Sequence, residues 1–432
     1  MPPSTATLSD HDAARAHFPA CASPTAFLDN AGGSQLPAVV IDAMTAYLRE
    51  SYVQLGADYE VSRRATATVA AAHRYLKFFM GAIDPGGRDT GQVIIGPSTS
   101  QLIATLATAY APHLAPGDEI IISDASHESN AGPWRRLAPS FQEHGRAIII
   151  KPWPINPITF AHDLAELGPL LSPRTRLVCF PHVSNILGRV EPLADIIPFI
   201  RARAPHARIL VDGVALAPHR TIHAHAWDAD FYVYSTYKVF GPHAAALYAK
   251  HDALAPLTGP NHDFIPSSEL PRKFELGGVS HEAAAGILAL DHFLRDLAGT
   301  PRLPDLIDPH ARYDRAIIDR AFDTIEHLET PLMARLLDYL SSVPGLRLIG
   351  PTATDRSRVS IISFTKPGTP SASIAKAGNA LHLGFRFGNF YAFRLCRSLG
   401  LHPADGVVRV SFCHYNTPAE VERLIAFLRQ TL

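Results

Sequence analysis

Between residues 93 and 234 the chain alternates short, continuous apolar runs with longer helical patterns. The β-prone runs are 93–95, 119–123, 147–150, 176–180, 208–212 and 231–234. The helical patterns that separate most of them are 98–110, 134–144, 162–171 and 193–204. Strands that are apolar on both faces and are spaced by helices are typical of mainly parallel sheets covered on both sides. The sequence therefore predicts an α/β fold with a mainly parallel sheet.

Polar and charged residues follow several of these runs. In an open parallel sheet the carboxyl ends of the strands lie along one edge, and ligands bind at that edge. The residues that the pattern places there are Ser98, Thr99, His127, Asn185, Asp212 and Lys238. We therefore predict one site at this edge, built from residues that are far apart in the sequence.

A smaller unit follows the alternating region. Residues 299–309 are rich in proline, glycine and aspartate, which is typical of a boundary. Beyond it the pattern predicts helices at 313–325 and 331–341, strands at 359–364 and 407–412, and a closing helix at 419–430. This order of elements predicts a small α+β domain.

The composition argues against several classes of protein. The chain has 432 residues, enough for two domains, and its 39 basic residues nearly balance 40 acidic ones. Neither nucleic acid nor a membrane surface is therefore indicated as a partner. The first twenty residues lack the apolar run of a signal peptide, and no stretch has the length of a membrane span.

Four cysteines are widely separated along the chain. They are Cys21, Cys179, Cys396 and Cys413, and they lack the paired spacing of a disulfide framework or a zinc site. We therefore expect buried, reduced thiols in a cytoplasmic protein, and no metal site.

The stretch 230–242 carries the strongest chemical signal. It predicts a buried strand that runs straight into Lys238, after two hydroxyl residues and Tyr237, and then a Gly-Pro turn. A desolvated lysine amine loses its proton readily and can form a Schiff base with an aldehyde cofactor. For this segment alone, an ordinary surface lysine that closes a strand is an equally good interpretation.

Two further edge residues have a specific chemical use. Asp212 ends an apolar strand, where an ionised carboxylate needs compensation, and a protonated pyridine nitrogen would provide it. Ser98 begins a helix in the capping-box pattern Ser-x-x-Gln, and such a helix start can bind a phosphate. The alternatives are an aspartate that caps a helix and a serine that is only an N-cap.

Three other side chains are candidates for contacts with an aromatic cofactor or an acidic group. The flat ring of His127 could stack on an aromatic cofactor, although a loop histidine bonded to water fits equally well. Arg386 and Arg409 could each grip the carboxylate of an amino acid through two parallel hydrogen bonds. Arg409 is the more unusual of the two because it interrupts an apolar strand.

Together these residues resemble the class V aminotransferase family of pyridoxal-phosphate enzymes, and within it the cysteine desulfurase branch. The likeness runs from residue 28 to residue 421, and its more specific segments are HVSNILG (182–188), LVDG (210–213), STYKVFGP (235–242) and RVSFCHYNT (409–417). The resemblance implies a fold-type I enzyme with a large cofactor domain, 26–298, and a small domain, 299–432. An N-terminal segment, 1–25, is expected to pack with the small domain.

The resemblance also assigns roles to individual residues. Lys238 would be the Schiff-base lysine, Asp212 would pair with the pyridine nitrogen, His127 would stack on the ring and Asn185 would lie near its phenolic oxygen. The implied phosphate and substrate contacts are Ser98, Thr99, Ser235 and Tyr237 for the phosphate, and Arg409, Arg386 and Asn30 for the substrate. A homodimer is implied in which each site is completed by the neighbouring subunit's loop 274–281, including Gly278.

The chain departs from the family pattern at three positions. Tyr391 replaces the loop cysteine that accepts sulfur, and a phenol cannot carry a persulfide because that step needs a thiolate. Cys396 follows five residues later and would need a different loop path to substitute. Ala215 stands where the family has a glutamine near the cofactor oxygen, and Gly278 stands where a threonine meets the phosphate.

The edge residues allow several reactions after Lys238 removes the α-proton of a small amino acid. Loss of a β-substituent, transamination and epimerisation all begin from the same α-carbanion. The favoured interpretation is a desulfurase-like C–S lyase acting on cysteine or a cysteine derivative without a protein persulfide. The alternatives are an aminotransferase, an epimerase resembling isopenicillin N epimerase, or a non-catalytic relative. Tyr391 is a candidate to protonate the departing group or to close the pocket, and a residue that only forms the pocket wall is an equally good interpretation.

Overall fold

The computed structural model describes residues 8–143 and 147–432. The strands are β1 (Ala26–Phe27), β2 (Gly91–Gly96), β3 (Glu119–Ser123), β4 (Ile149–Trp153), β5 (Thr175–Pro181), β6 (Arg208–Asp212), β7 (Phe231–Ser235), β8 (Ala245–Lys250), β9 (Arg347–Leu348), β10 (Ile361–Thr365), β11 (Leu383–Gly384), β12 (Arg386–Gly388) and β13 (Val407–Ser411). The helices are α1 (Leu8–Arg15), α2 (Ala38–Glu50), α3 (Glu60–Phe79), α4 (Thr99–Tyr110), α5 (Glu128–Glu143), α6 (Leu164–Leu167), α7 (Leu193–Arg203), α8 (His251–Leu254), α9 (His281–Leu297), α10 (Arg315–Ser342), α11 (Ser371–Asn379), α12 (Phe393–Ser398) and α13 (Pro418–Thr431). Within these described ranges, no helix combines the length and apolarity needed to cross a bilayer.

A seven-stranded sheet forms the centre of the large part of the molecule. Its strand order is β2-β8-β7-β6-β5-β3-β4, and every pair from β7 to β4 is parallel. Only β8 runs antiparallel to its two neighbours, β2 and β7. Apolar side chains form a buried cluster on each face of the sheet, one against α3, α7 and α9 and the other against α4 and α5. The predicted α/β fold with a mainly parallel sheet is confirmed.

Two details of this sheet differ from the sequence-based prediction. Strand β8 is not predicted because its alanines have low intrinsic β propensity; it forms because it pairs with a strand on each side. Strand β4 begins two residues later than predicted and continues through Pro152, which an edge strand tolerates because one side of its backbone is free of partners. The predicted helix 134–144 corresponds to α5, and its last residue lies outside the described ranges.

The small part of the molecule is a four-stranded antiparallel sheet of order β12-β13-β10-β9, covered by helices. Helix α10 runs unbroken for 28 residues through Pro331, whereas the sequence predicts two helices, 313–325 and 331–341. Its buried apolar stripe continues across the proline, from Ile325 and Leu328 to Leu332 and Leu336, so tertiary packing outweighs the lost backbone hydrogen bond.

The chain before residue 30 contacts both parts. Phe18 packs against Phe293 of the large part and Tyr415 of the small part, with ring centroids 5.4 and 4.6 Å away. Strand β1 pairs with β11, and Asp29 forms a bridge to Ser411, so pairing with the small part extends beyond the predicted N-terminal segment. This pairing brings Asp29 to the strand that carries Arg409.

The turn after β6 depends on a close contact that only glycine permits. The hydroxyl of Tyr232, on β7, lies 3.0 Å from Nδ1 of the buried His182. A Cβ on Gly213 would overlap the Tyr232 ring, so the absence of a side chain there lets β6 and β7 pack closely beside Asp212.

We predict that Gly213→Ala destabilises the protein by about 3 kcal/mol through overpacking of a rigid core ring, seen as a lower Tm in a thermal melt. The matched control is Gly168→Ala, where an added Cβ would lie 3.6 Å from the Phe199 ring, an ordinary contact. Equal Tm values for the two variants would contradict the packing role assigned to Gly213.

Candidate active site

A cavity of about 520 Å³, including its open mouth, lies at the carboxyl edge of the large sheet. The predicted residues that line it are Ser98, Thr99, His127, Asn185, Asp212, Ser235, Tyr237 and Lys238. Lining residues that the sequence did not single out as contacts are Ser100, Ser129, Pro181, Val183, Val214 and Ala215. The structure thus brings together side chains that come from five separate segments of the chain.

The sheet topology explains this convergence. Lys238 ends a single 3-10 turn that follows β7, and Asp212 is the last residue of β6. Asn185 lies four residues after β5, and His127 directly precedes α5 after the end of β3. Because these four strands are parallel neighbours, their carboxyl ends deliver all four side chains to one place.

Lys238 is a buried lysine whose amine has a lowered pKa. Its side chain is almost withdrawn from solvent, and the residue is 9% exposed. Burial lowers the pKa of the Lys238 amine to about 8, and the Arg409 guanidinium lowers it as well, whereas the carboxylates of Asp212 and Asp29 oppose the shift. The amine is therefore closer to its neutral, nucleophilic form near physiological pH than an exposed lysine is.

Asp212 shows the opposite effect of the same desolvation. Burial raises the pKa of the Asp212 carboxyl to about 6, while the backbone N–H of Val214 and the Lys238 amine favour its ionised form. The Val214 N–H donates to Oδ1 over 3.0 Å. A cationic group placed against Asp212 would strengthen this preference for the carboxylate.

His127 is held as a neutral ring in one tautomer. Burial lowers the pKa of His127 to about 4, with further lowering by the positive charges of Lys238 and Arg409. Its Nδ1 accepts the backbone N–H of Ser129 over 3.0 Å, so the ring proton is on Nε2. A fixed, neutral, flat ring is suited to stacking on an aromatic group.

Hydroxyl groups gather where α4 begins. Ser98 is the N-cap of the helix, and its side chain accepts the backbone N–H of Gln101. The hydroxyls of Thr99 and Ser235 lie 2.7 Å apart, and the Tyr237 ring stacks on His243 at 4.9 Å. Hydroxyl donors at the positive end of a 12-residue helix suit an anionic group such as a phosphate.

Asn185 connects the cavity to the small part of the molecule. Its Nδ2 donates to the backbone oxygen of Phe390 over 2.8 Å. Among the described residues, its Oδ1 is a buried oxygen that has no hydrogen-bond partner. An unsatisfied polar atom of this kind, beside a lysine, a carboxylate and a hydroxyl-lined helix start, fits a cavity built to enclose a polar aromatic phosphate.

Arg409 and Arg386 lie beside the cavity rather than on its lining. The buried Arg409 guanidinium donates to the backbone oxygen of Asn185 over 3.1 Å and to Asp29 over 2.7 Å. The Phe390 ring covers it, with the guanidinium carbon 3.7 Å from the ring centroid. Arg386 is 55% exposed at its side chain and lies 3.4 Å from Asp29. Asp29 was not identified from the sequence, although it belongs to the segment with which the family resemblance begins.

Tyr391 lies next to the cavity-lining His127 on a constrained loop and is not itself one of the residues that line the cavity. It is 67% exposed, and its ring centroid is 5.2 Å from that of His127. Phe390 and Tyr391 both have positive φ, at 47° and 61°, a costly conformation for large side chains. The backbone oxygens of this loop accept two hydrogen bonds of 2.8 Å, from the side-chain Nδ2 of Asn185 to Phe390 and from the backbone N–H of Glu128 to Tyr391, and these bonds hold the loop in place.

Two other predicted contact residues do not line the cavity. Asn30 is buried, with its amide nitrogen bonded to the oxygens of Phe27, Ser411 and Asn416 and its amide oxygen bonded to the Tyr415 hydroxyl. Both ends of the amide therefore join the N-terminal segment to the small part, and the contact of Asn30 with a substrate stays a prediction. Gly278 lies on a separate depression with a φ of 95°, away from this chain's own cavity.

Comparison with known proteins is consistent with this geometry. The family profile "Aminotransferase class-V" matches residues 26–424. An aminotransferase-like protein, FGM3, from Gibberella zeae is 38% identical over 97% of this chain and 97% of its own length. The cysteine desulfurase-like protein ustD from Aspergillus flavus is 32% identical over 95% of this chain and 88% of its own length. A cysteine desulfurase of Serratia proteamaculans is 28% identical over 96% of this chain and 97% of its own length.

A solved structure supports the fold. The apo cysteine desulfurase of Thermococcus onnurineus superposes with a TM-score of 0.81 at 21% identity, covering 97% of each chain. The fold-type I architecture that the resemblance implies is therefore confirmed. The chain belongs to the class V aminotransferase family and is a cysteine desulfurase-like enzyme that depends on pyridoxal phosphate.

Proposed function

We propose that this enzyme cleaves the C–S bond of cysteine or a small cysteine derivative and releases the sulfur without a protein persulfide. The observation that carries the proposal is the position of the thiols. All four cysteines lie within the described residues, all are buried, and none lines the cavity. Burial raises the pKa of Cys396, the thiol that follows Tyr391 in sequence, to about 11, so it is a poor acceptor of sulfur.

The cavity residues suggest how the cofactor would be held. Asp212 would face the pyridine nitrogen, Lys238 would hold the aldehyde carbon, and Thr99 and Ser235, with Ser98 and Tyr237, would bind the phosphate. When bound, pyridoxal phosphate supplies an electron sink for the carbanion formed at the substrate α-carbon. Lys238, freed as a neutral amine, would remove the α-proton and carry it within the cavity.

The residues around the cofactor would exclude water and position the substrate. His127 would cover the ring, and Asn185 would lie near the phenolic oxygen. Arg409, helped by Arg386, would hold the substrate carboxylate through charge-assisted hydrogen bonds. Tyr391, whose ring lies against His127, would close the cavity and offer its hydroxyl proton to the departing sulfur.

A homodimer with shared sites is part of the proposal. The loop that includes Gly278 would enter the neighbouring subunit's cavity, and a Cβ on Gly278 would meet no described atom within 4 Å in its own chain. Ala215 lines the cavity without a polar side chain, so Asn185 would be the residue that bonds the phenolic oxygen of the cofactor. The four free thiols favour a reducing, cytoplasmic setting.

We predict that the holoenzyme converts cysteine and water to pyruvate, ammonia and sulfide in equal amounts, measured by a dehydrogenase-coupled pyruvate assay and methylene-blue sulfide detection. The enzyme donates the proton that the departing sulfur takes up. The unsaturated amino acid that remains is then hydrolysed, and water supplies the keto oxygen of pyruvate. Alanine, with sulfide appearing only when a thiol reductant is added to reduce the released sulfur, would indicate desulfuration instead. An inert cysteine, with amination of a keto-acid acceptor, would overturn the proposal in favour of an aminotransferase.

We predict that Cys396→Ser leaves sulfide release within about twofold of wild type, because the buried thiol takes no part. Tyr391→Phe, which removes only a hydroxyl, should lower kcat by about tenfold or more, as expected for loss of a general acid. Thiol-trapping mass spectrometry on both proteins should find no persulfide. A persulfide at Cys396, or loss of sulfide release in Cys396→Ser, would contradict this reaction.

We predict that acylation of Lys238 in the apoprotein rises with pH to a midpoint near pH 8, because only the neutral amine reacts. Peptide mass spectrometry measures it, with the exposed Lys376 as the internal reference for reagent reactivity. Arg409→Gln should raise the midpoint and Asp212→Asn should lower it, since the two charges act on the amine with opposite sign. A midpoint unmoved by either change would exclude electrostatic control of Lys238.

A further inference from the structure

The two arginines beside the cavity are direct neighbours across a strand pair. In the antiparallel pairing of β12 with β13, Arg386 lies opposite Arg409. Directly opposed side chains point to the same face of a sheet, and two like charges in that position destabilise the pairing. Arg409 is buried, so water screens this repulsion poorly. The arrangement therefore needs a negative charge between the two side chains.

Asp29 supplies that charge from another part of the chain. Its Oδ1 is 2.7 Å from Arg409, and its Oδ2 is 3.4 Å from Arg386, so one carboxylate bridges both guanidinium groups. The backbone around it is fixed to β13, because Ser411 donates its N–H to the oxygen of Leu28 over 2.8 Å and its hydroxyl accepts the N–H of Ala31 over 2.8 Å. The carboxylate is thus delivered by a paired segment and not by a free loop.

The glycine that follows leaves room for this carboxylate. A Cβ on Gly32 would lie 2.8 Å from Oδ2 of Asp29 and 3.1 Å from its backbone oxygen. The backbone N–H of Gly32 donates to that same oxygen over 2.8 Å. Any side chain at position 32 would therefore displace the Asp29 oxygen that faces Arg386. This gives a second observation, independent of the ion pair, that points to the same carboxylate.

We propose that Asp29 is the positioning residue of the substrate-carboxylate site: it neutralises the opposed arginine pair and holds the Arg409 guanidinium ready for the incoming carboxylate. The statement that Asp29 orients Arg409 for a substrate carboxylate rests on the proposed role of Arg409. The statement that Asp29 neutralises the two arginines does not. Arg409 donates to Asp29 through Nη2 and to the Asn185 carbonyl through Nη1. These two acceptors fix the plane of the guanidinium against the Phe390 ring.

An opposite role is also physically reasonable and is separated by experiment. A carboxylate already paired with both arginines could compete with the substrate, and its removal would then tighten substrate binding. The positioning role predicts looser binding, because a buried guanidinium without its partner turns toward another acceptor and loses its orientation. The two roles therefore differ in the sign of the change in affinity.

The test begins with Asp29→Asn in the holoenzyme, which keeps the shape of the side chain and removes its charge. We expect Tm to fall by roughly 5 °C, because the buried Arg409 and the exposed Arg386 lose their common partner. We expect KM for cysteine, and the dissociation constant for L-alanine read from the cofactor absorbance, to rise roughly tenfold with kcat within twofold. Tighter binding of L-alanine would overturn the proposal in favour of competition.

Double variants show whether the decrease in Tm of Asp29→Asn comes from the unbalanced arginine charges or from a loss of packing. Arg386→Gln in the Asp29→Asn background should reverse at least half of the decrease in Tm, because it removes the charge repulsion between positions 386 and 409. Arg386→Lys keeps the charge and should restore none, and Arg397→Gln, which removes an exposed charge elsewhere in the small part, should also restore none. Equal behaviour of the three double variants would overturn the charge-balancing role.

Gly32→Ala tests position without any change of charge. It should displace Oδ2 of Asp29, raise KM and the L-alanine dissociation constant several-fold, and leave kcat within twofold. Unchanged constants would overturn the positioning role. If cysteine proves inert while L-alanine still binds and Tm follows the rescue pattern, the proposed reaction fails and this inference stands.

Discussion

The site depends on charged groups placed where water is largely excluded. Desolvation weakens the proton affinity of the Lys238 amine and strengthens that of the Asp212 carboxyl, which brings their pKa values to about 8 and about 6. Each charge is tolerable only because the others are near, and their mutual distance is set by the spacing of adjacent parallel strands. The fold and the acid–base chemistry are therefore parts of one electrostatic arrangement.

The sequence was sufficient for the parts of the site that lie at strand ends. Lys238, Asp212, Asn185 and His127 each follow an apolar run, and parallel pairing of those runs guarantees that they meet. The fold class could be predicted for the same reason, because buried strands and amphipathic helices have different apolar periodicities. Local patterns carry this information, so no knowledge of distant contacts was needed.

Features that depend on distant contacts were not predictable from local patterns. The bond between Asp29 and Arg409 joins residues 380 positions apart, and nothing near Asp29 in the sequence indicates its partner. The amide of Asn30 joins the N-terminal segment to Ser411 and Asn416, residues more than 380 positions away, and no local pattern predicts these bonds. Strand β8 and the unbroken helix α10 follow from neighbours that outweigh the preferences of alanine and proline.

Burial of every thiol has a consequence for durability. Enzymes that work through an exposed thiolate are inactivated when peroxide or an electrophile modifies that sulfur. Here burial raises the pKa of Cys21 and Cys396 to about 11 and raises those of Cys179 and Cys413 as well, so almost no thiolate exists in the folded chain. The proposed reaction uses an amine, a carboxylate and a phenol, so it would continue under oxidative stress that inactivates an enzyme working through an exposed thiolate.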